Sequence, residues 1–335
     1  MNRSSTKHTI YCIISYSILL IYIFILWHLP NDWFRDRDVY LIYAKNYDTF
    51  LKNDDPLKQF VNEPLFSQIA SLFSNQPDFF PICMSIFIAL TYFILVIKKS
   101  KNIITFFLAT LLLLFNTFLI FPQLFQQRQG LATALFLIIF FAVKKQKNRI
   151  ILSCILPFIH VAFFIITPIY IIYETYLQHK DFKKIILYTA LTTIIFSMLS
   201  ISLMYLIGFR QADIYNTLNE SRGGGSFILH LALLIYIYFL GNRYDQRLLG
   251  CVFIGLTFYI FSYFIFPPSG RLFSSFYPFL LIYLISRSKS QDILVLFFMS
   301  IIFTYLFFSS GYLDMLNMGA SSFNYELERF FRNLF

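Results

Sequence analysis

Long apolar runs separated by short polar stretches dominate this chain. The first run, residues 9–29, follows Arg3 and Lys7 and has about the 20 apolar residues that an α-helix needs to cross a bilayer core. The later runs are residues 81–97, 103–121, 131–143, 150–173, 185–207, 227–240, 248–266, 272–285 and 293–309. This pattern predicts an all-α, polytopic integral membrane protein with about ten transmembrane helices, within a range of about eight to twelve. We expect residues 1–335 to form a single transmembrane domain without a separate soluble domain.

The run at residues 150–173 has the length of one span but contains Pro157 and Pro168, with His160 between them. Proline removes a helix hydrogen bond and kinks or breaks the helix. A re-entrant or broken segment here would place 7 of the 12 later Lys and Arg residues on the cytoplasmic side, against 5 for an unbroken span. We therefore predict a re-entrant or broken helix, which membranes tolerate only beside protein or a water-filled cavity.

Basic clusters set the expected orientation. Residues 98–101 and 144–149 are rich in Lys and Arg, which concentrate in cytoplasmic loops. The N-terminus is then cytoplasmic, and the polar stretches 30–80 and 208–226 are external loops. The second stretch contains the run Gly223–Gly225 and is interpreted either as a lid over a site or as a solvated connector. The side of the C-terminus stays open.

Composition narrows the function classes. The chain is 58% hydrophobic and only 13% charged, which excludes a water-soluble domain, a disordered chain and a secreted disulfide scaffold. Its net charge of +10 lies in clusters at the ends of apolar runs, which favours contact with lipid and not with nucleic acid. The four cysteines lie inside apolar runs without metal-ligand spacing, and no nucleotide-binding signature is present. We expect no metal and no cofactor.

Ionisable groups inside or at the mouth of apolar spans are costly, so they are functional candidates. Arg128 meets this test, because the thirteen-residue run 131–143 needs about one more turn and Arg128 would lie in it. A guanidinium holds phosphate through two parallel hydrogen bonds. The neighbouring Gln127 and Gln129 favour a polar cavity over an interfacial arginine, and we assign both to substrate binding.

Three further residues are catalytic candidates. His160 could act as a general base or bind phosphate, or it could simply be satisfied by a backbone carbonyl. Glu63, in a charged loop where apolar character resumes, could accept a proton from a hydroxyl or bind a sugar. Arg271 opens a span and, in the re-entrant topology, lies on the same side as Arg128, where two arginines would suit a diphosphate. It could also be an ordinary charge at the end of a loop.

Four other residues are candidate substrate contacts. Asp38 and Tyr40 belong to an acidic and aromatic patch of the kind that stacks on sugars. Arg210 and Arg222 lie in the polar stretch 208–226.

Several short motifs follow one another along the chain. They are Asp38-x-Tyr40, Glu63-Pro64-Leu65-Phe66, Arg128-Gln129-Gly130-Leu131-Ala132, Ile159-His160 and Gly270-Arg271-Leu272-Phe273. In this order they resemble the EpsG/Wzy-type family of membrane polysaccharide polymerases, over about residues 30 to 290.

The resemblance implies a glycosyltransferase of O-antigen, capsule or exopolysaccharide biosynthesis. It would join oligosaccharide repeat units linked to polyprenyl diphosphate, at the outer face of the cytoplasmic (inner) membrane, with the active site facing outward. Arg128 and Arg271 would hold diphosphate, and Glu63 or His160 would be the base. A chain-length regulator and a flippase of the same pathway are the expected partners, together with the lipid bilayer.

Three other functions stay open, one of which is a purely structural membrane subunit. A transporter or flippase of lipid-linked sugars would more often show two related halves, which we do not detect in the sequence. A membrane O-acyltransferase of surface polysaccharide would use a histidine in the first span, for which His28 is the candidate.

Overall fold

The computed structural model describes residues 3–45, 63–207, 224–241, 245–266 and 268–334. Within these ranges all regular secondary structure is helical, apart from one isolated bridge between Phe34 and Leu316. The prediction of an all-α protein is confirmed for the described residues.

The α-helices are α1 (Arg3–His28), α2 (Arg37–Lys45), α3 (Pro64–Ser71), α4 (Phe79–Lys99), α5 (Ile103–Phe115), α6 (Thr117–Leu124), α7 (Gln127–Ala142), α8 (Gln146–Ser153), α9 (Phe163–Ile172), α10 (Phe182–Ile207), α11 (Gly225–Leu240), α12 (Gln246–Ser262), α13 (Ser269–Ser274), α14 (Tyr277–Arg287), α15 (Ser290–Ser309) and α16 (Ala320–Leu334). Short 3-10 turns lie at Asn31–Trp33, Leu156–Phe158 and Gly311–Met315, and a π-helical turn at Tyr173–Leu177 extends α9.

Several of these helices are apolar and long enough to cross a membrane, as a multi-pass membrane protein requires. In the described part of the chain they are Thr9–His28, Phe79–Lys99, Phe182–Leu199 and Ser290–Ser309. The pair α5 and α6, bent by 60°, is either a fifth, broken span or a re-entrant loop. Shorter apolar helices occupy Gln127–Ala142, Phe163–Leu177, Gly225–Leu240 and Gln246–Ser262. The number of crossings near ten stays a prediction.

Two apolar runs are divided where the sequence pattern predicts continuous helix. The run 103–121 breaks at Asn116, whose side chain accepts a hydrogen bond from the backbone N–H of Phe118 and so caps the start of α6. Asparagine is common at such caps because its short side chain places an oxygen where it can accept from an unpaired backbone N–H of the first helical turn. The run 272–285 is likewise shared between α13 and α14. Periodicity does not detect these breaks, because both sides of each break are apolar.

The predicted break in the segment 150–173 is confirmed. Helix α8 ends at Ser153, Pro157 lies in the 3-10 turn, and α9 begins only at Phe163. Pro168 lies inside α9 without ending it. Whether the segment is re-entrant stays a prediction.

The polar stretches are only partly loops. The stretch 30–80 contains α2 and α3, so that the predicted external loop is in part helical. Most of the second stretch, residues 208–223, lies outside the described residues, and the lid prediction falls there.

The chain divides into two compact units. One comprises residues 1–141, 155–161 and 284–335, and the other comprises residues 142–154 and 162–283. In the first unit α1 and α4 run antiparallel, as contacts at both ends show. The Tyr11 hydroxyl donates to the Ile97 carbonyl at 2.8 Å at one end, and the Trp27 and Phe79 rings lie 5.7 Å apart at the other.

A buried apolar cluster joins the two ends of the first unit's sequence. Phe323 and Phe330 of α16 contact the Trp33 ring with centroids 5.4 and 5.5 Å apart. The polar side of α16 carries exposed ion pairs. Helix α16 is therefore amphipathic and lies at the same end of this unit as the segment that follows α1.

The second unit contains a buried ion pair that local sequence does not reveal. Arg149, predicted as part of a cytoplasmic basic loop, turns inward and contacts Glu174 at 2.6 Å. Tyr170 also donates to Glu174, at 2.8 Å, and Arg149 donates to the Lys144 carbonyl at 2.7 Å. Charges buried with this many partners are tolerated, but removing one partner would leave the other uncompensated.

Gly130 marks a close approach of α7 to α6. A methyl group added at Gly130 would lie closer than 3.0 Å to the Pro122 carbonyl oxygen and to the Ile88 side chain. We predict that Gly130→Ala lowers the free energy of unfolding by about 1–3 kcal/mol, as overpacking does. The matched variant Gly225→Ala, where a methyl group meets nothing within 4 Å, should be neutral or stabilising. Thermal unfolding in detergent measures both, and equal melting temperatures for the two variants would contradict the prediction.

Candidate functional site

Glu63 stands at the start of α3 in an unusual backbone conformation. Its φ and ψ angles are 55° and 57°, in the left-handed region that residues other than glycine rarely adopt. The following Pro64 occupies the first turn of α3, where its fixed φ suits the helix, and it disfavours the right-handed helical region for Glu63. Such strained positions cluster at functional sites. The left-handed backbone of Glu63 at the start of α3 goes together with a carboxylate that is turned inward and buried.

Both oxygens of the Glu63 carboxylate have charged or polar partners. Arg128 Nη1 donates to Oε2 at 2.6 Å, and His160 Nδ1 lies 2.6 Å from Oε1. The backbone N–H of Val161 also donates to Oε1, at 3.0 Å. Glu63 is only 4% exposed. One buried carboxylate thus joins the starts of α3 and α7 to the break between α8 and α9, all within the first unit.

The protonation state of the site follows from these contacts. Burial alone would raise the pKa of Glu63, but attraction to Arg128 and His160 outweighs burial and lowers the pKa to about 2. The carboxylate is therefore ionised at neutral pH and can only accept hydrogen bonds. Nδ1 of His160 must then carry a proton toward Oε1, so that Nε2 is the ring nitrogen that can accept a proton whenever the imidazole is uncharged.

Arg128 remains accessible while it is held in place. Its side chain is 28% exposed, compared with 5% for that of Glu63. The guanidinium carbon lies 5.8 Å from the ring centroids of both Tyr40 and Tyr43, within the range of cation–π attraction. With one nitrogen bonded to Glu63, other guanidinium N–H groups can bind an anion.

Two buried side chains of α2 fix the backbone from which Arg128 projects. The Tyr40 hydroxyl donates to the Phe125 carbonyl at 2.6 Å and accepts from the Gln127 N–H at 3.1 Å. Arg37 donates to the Leu124 carbonyl at 2.9 Å. It also donates to Ser85 Oγ at 2.9 Å and to Asn31 Oδ1 at 3.0 Å, and its guanidinium carbon lies 4.4 Å from the Phe34 ring centroid.

Arg37 is a residue that sequence reasoning misses. Burial lowers its pKa to about 10, which leaves it charged at neutral pH. The flanking Asp36 and Asp38 are exposed and suggest a solvated loop, although the Arg37 side chain itself is completely buried. In the sequence, the position of Arg37 within the acidic and aromatic patch is the one feature that indicates a role for it.

The predicted substrate-binding residues differ in burial and in hydrogen bonding. Tyr40 is buried beside Arg128, whereas Asp38 is exposed. Gln127 is buried and its amide donates to the Pro81 carbonyl and to Ser85 Oγ, both at 2.8 Å, so that this amide joins α7 to α4. Gln129 is 2% exposed. Their roles in binding stay predictions.

The other predicted arginines are Arg271, Arg210 and Arg222. Arg271 is an exposed residue of α13, in the second unit. Arg210 and Arg222 lie outside the described residues. Within the described ranges, no group of three or more His, Cys, Asp or Glu residues could hold a metal ion.

The low pKa of Glu63 predicts a specific loss of stability in acid. Its ion pairs are fully formed above the unfolded pKa of 4.5 and are lost as pH falls toward about 2. Relative to Glu63→Gln, the wild type should lose at most about 1.4 kcal/mol of unfolding free energy per pH unit in this window. Melting temperatures of both proteins in detergent, from about pH 6 to about pH 3, measure this difference.

The control for this experiment is Glu326→Gln, which removes a half-exposed surface ion pair with Arg329. Surface pairs contribute little, so its melting curve should follow that of the wild type at each pH. A difference between wild type and Glu63→Gln that is independent of pH would show that Glu63 does not titrate in this window.

Comparison with known proteins gives one match. Neither curated proteins nor solved structures match the chain significantly. The family model for EpsG, by contrast, matches residues 8–327, which is nearly the whole chain and includes Glu63, Arg128 and His160. The chain therefore belongs to the EpsG family, which is linked to exopolysaccharide biosynthesis.

Proposed function

We propose that this protein is a membrane polysaccharide polymerase. It transfers a growing glycan from polyprenyl diphosphate to the non-reducing end of a lipid-linked repeat unit, at the outer face of the cytoplasmic membrane. The observation that carries the proposal is the cluster of Glu63, His160 and Arg128, which combines an oriented imidazole with an accessible guanidinium. These are the two groups that glycosyl transfer from a diphosphate needs, a base and an anion-stabilising cation.

In the proposed reaction His160 is the base and Glu63 is the positioning residue. His160 Nε2 takes the proton from the acceptor hydroxyl as the hydroxyl oxygen bonds to the anomeric carbon of the donor glycan. The bond between that carbon and the diphosphate oxygen breaks, and its electron pair leaves with the polyprenyl diphosphate. Glu63 holds Nδ1 and stabilises the imidazolium that forms, as the carboxylate of a catalytic triad does.

Arg128 acts on the leaving group. As the bond to the diphosphate breaks, negative charge grows on the diphosphate oxygens, and a fixed guanidinium stabilises it. Tyr40 and Tyr43 flank Arg128, and the partly exposed Tyr43 also offers an aromatic face to a sugar ring. Arg271, Arg210 and Arg222 are further proposed contacts for diphosphate or glycan.

The proposal includes a membrane topology of about ten crossings in one transmembrane domain, with a cytoplasmic N-terminus. Its support is that α1 and α4 are antiparallel neighbours. Lys98 and Lys99, at the end of α4, therefore lie beside the N-terminal part of α1, where Tyr11 bonds to Ile97. Basic clusters favour the cytoplasmic side, which would put Glu63 and α16 outside. The proposed partners are the lipid-linked oligosaccharide, a chain-length regulator and a flippase.

The arginine hypothesis predicts that Arg128→Ala shortens the polysaccharide chains. We expect a loss of about 10²–10³-fold in polymerisation rate, as for removal of one donor to a developing negative charge. Arg128→Lys should restore only part of the rate, because an ammonium keeps the charge but loses the planar fork. The measurement is the length distribution of surface polysaccharide on a gel, in a strain lacking the protein and complemented with each variant.

The matched control is Arg329→Ala, which removes an arginine whose side chain is 65% exposed. Its ladder should equal that of the wild type. Long chains at normal yield with Arg128→Ala would remove Arg128 from the mechanism. Loss of even the single repeat unit from the outer surface, in the strain without the protein, would support a flippase.

The histidine hypothesis predicts that His160→Ala lowers the polymerisation rate by about 10²–10⁴-fold, as for loss of a general base. The control is His28→Ala, since His28 is exposed at the end of α1 and bonds to the Phe24 carbonyl of its own helix, at 2.8 Å. Rates are measured with lipid-linked repeat units and purified protein. An unchanged rate with His160→Ala would contradict the histidine hypothesis. On the gel of surface polysaccharide from cells, a ladder of normal length that loses its acyl groups with His28→Ala would support the acyltransferase.

A further inference from the structure

A groove of about 750 Å³ lies at the end of the first unit that holds Tyr11 and Ile97. It opens between the first turns of α1, the end of α4 and the start of α5. Its lining residues are Ile10, Tyr11, Cys12, Ile14, Tyr16, Ile97, Lys98, Ser100, Lys101, Asn102 and Ile103. This end is opposite to the contact of Trp27 with Phe79, so that the groove is separate from the Trp33 end of the unit.

The lining of the groove combines an apolar part with a positively charged part. Four isoleucines and two tyrosines of α1, α4 and α5 form the apolar part of the groove, and Lys98 and Lys101 are both exposed on its wall. The Lys101 ammonium donates to the Arg287 carbonyl at 3.3 Å, which keeps it beside the groove. The groove therefore offers an apolar channel with two cations beside it.

The surroundings of the groove are suited to lipid. Ile10 and Ile13 of α1 are 51% and 61% exposed, and Ile104 of α5 is 56% exposed. Exposed aliphatic side chains on helices of membrane-spanning length face acyl chains. Lysines at the end of such helices lie at the level of the lipid headgroups.

We propose that this groove binds an anionic phospholipid of the cytoplasmic leaflet. Lys98 and Lys101 would contact its phosphate, and an acyl chain would lie along Ile14 and Ile97. Charge complementarity favours this occupant, because two neighbouring cations suit an anionic headgroup better than a zwitterionic one or a second copy of this basic chain. The site is independent of the polymerase chemistry, whereas its place in the cytoplasmic leaflet rests on the topology of the proposed function.

The test is a titration of delipidated protein in detergent with phosphatidylglycerol, and separately with phosphatidylcholine of the same acyl chains. Native mass spectrometry counts the bound lipids. We expect one phosphatidylglycerol to be retained preferentially, and Lys98→Ala/Lys101→Ala to weaken its binding about 25-fold, since each lysine near an anionic headgroup is worth about fivefold. The control Lys144→Ala/Lys145→Ala removes the same charge from another exposed basic segment and should change binding less than about twofold.

Three results would overturn the proposal. Equal weakening by both double variants would indicate diffuse attraction between a basic protein and acidic lipid. Equal retention of the two lipids would indicate an apolar groove without headgroup recognition. A dimer that forms when lipid is removed, and that adding phosphatidylglycerol does not dissociate, would indicate that a second copy of the chain covers the groove.

Discussion

The buried carboxylate of Glu63 is the constraint on which the candidate site depends. It contacts residues 65 and 97 positions further along the chain, and so fixes three segments that helix packing alone would leave free to slide. A carboxylate buried to this extent is stable only with its partners in place, since removing one leaves an uncompensated charge. The same contacts that stabilise the first unit therefore orient the imidazole of His160 and restrain the guanidinium of Arg128. Structure and proposed chemistry rest on one group.

The chain between α6 and α7 is the second constraint, because helix ends leave carbonyl groups without partners. Side chains of α2 satisfy them, Arg37 at Leu124 and Tyr40 at Phe125. A guanidinium buried completely is costly, and here its hydrogen bonds and the Phe34 ring offset that cost. The result is a rigid start of α7, which a site must have to hold a charge within about 0.5 Å of its working position.

The sequence predicts much of this site and less of the fold. Glu63, Arg128 and His160 could be found because ionisable groups beside apolar runs are rare and costly, which marks them individually. Their mutual contacts could not be derived, since sequence does not give distances between segments. Sequence does not reveal the burial of Arg37, because two flanking aspartates are typical of a solvated loop. It does not reveal the inward turn of Arg149, because the partner of Arg149 lies 25 residues away. The break at Asn116 is likewise invisible to periodicity, which registers only apolar character.

The charge of the resting cluster bears on how a diphosphate would be used. Glu63 neutralises Arg128 before substrate arrives, so that the ground-state attraction between Arg128 and an incoming diphosphate is weaker than for a lone guanidinium. In the proposed reaction, charge on the diphosphate would grow as its bond to the sugar breaks, and proton transfer to His160 at the same moment would give Glu63 a second cation. The hydrogen bond between Glu63 and Arg128 would then weaken, and Arg128 would bind the leaving diphosphate more strongly. An ion pair of this kind favours the transition state over the bound substrate, which is the condition for faster chemistry and not merely tighter binding.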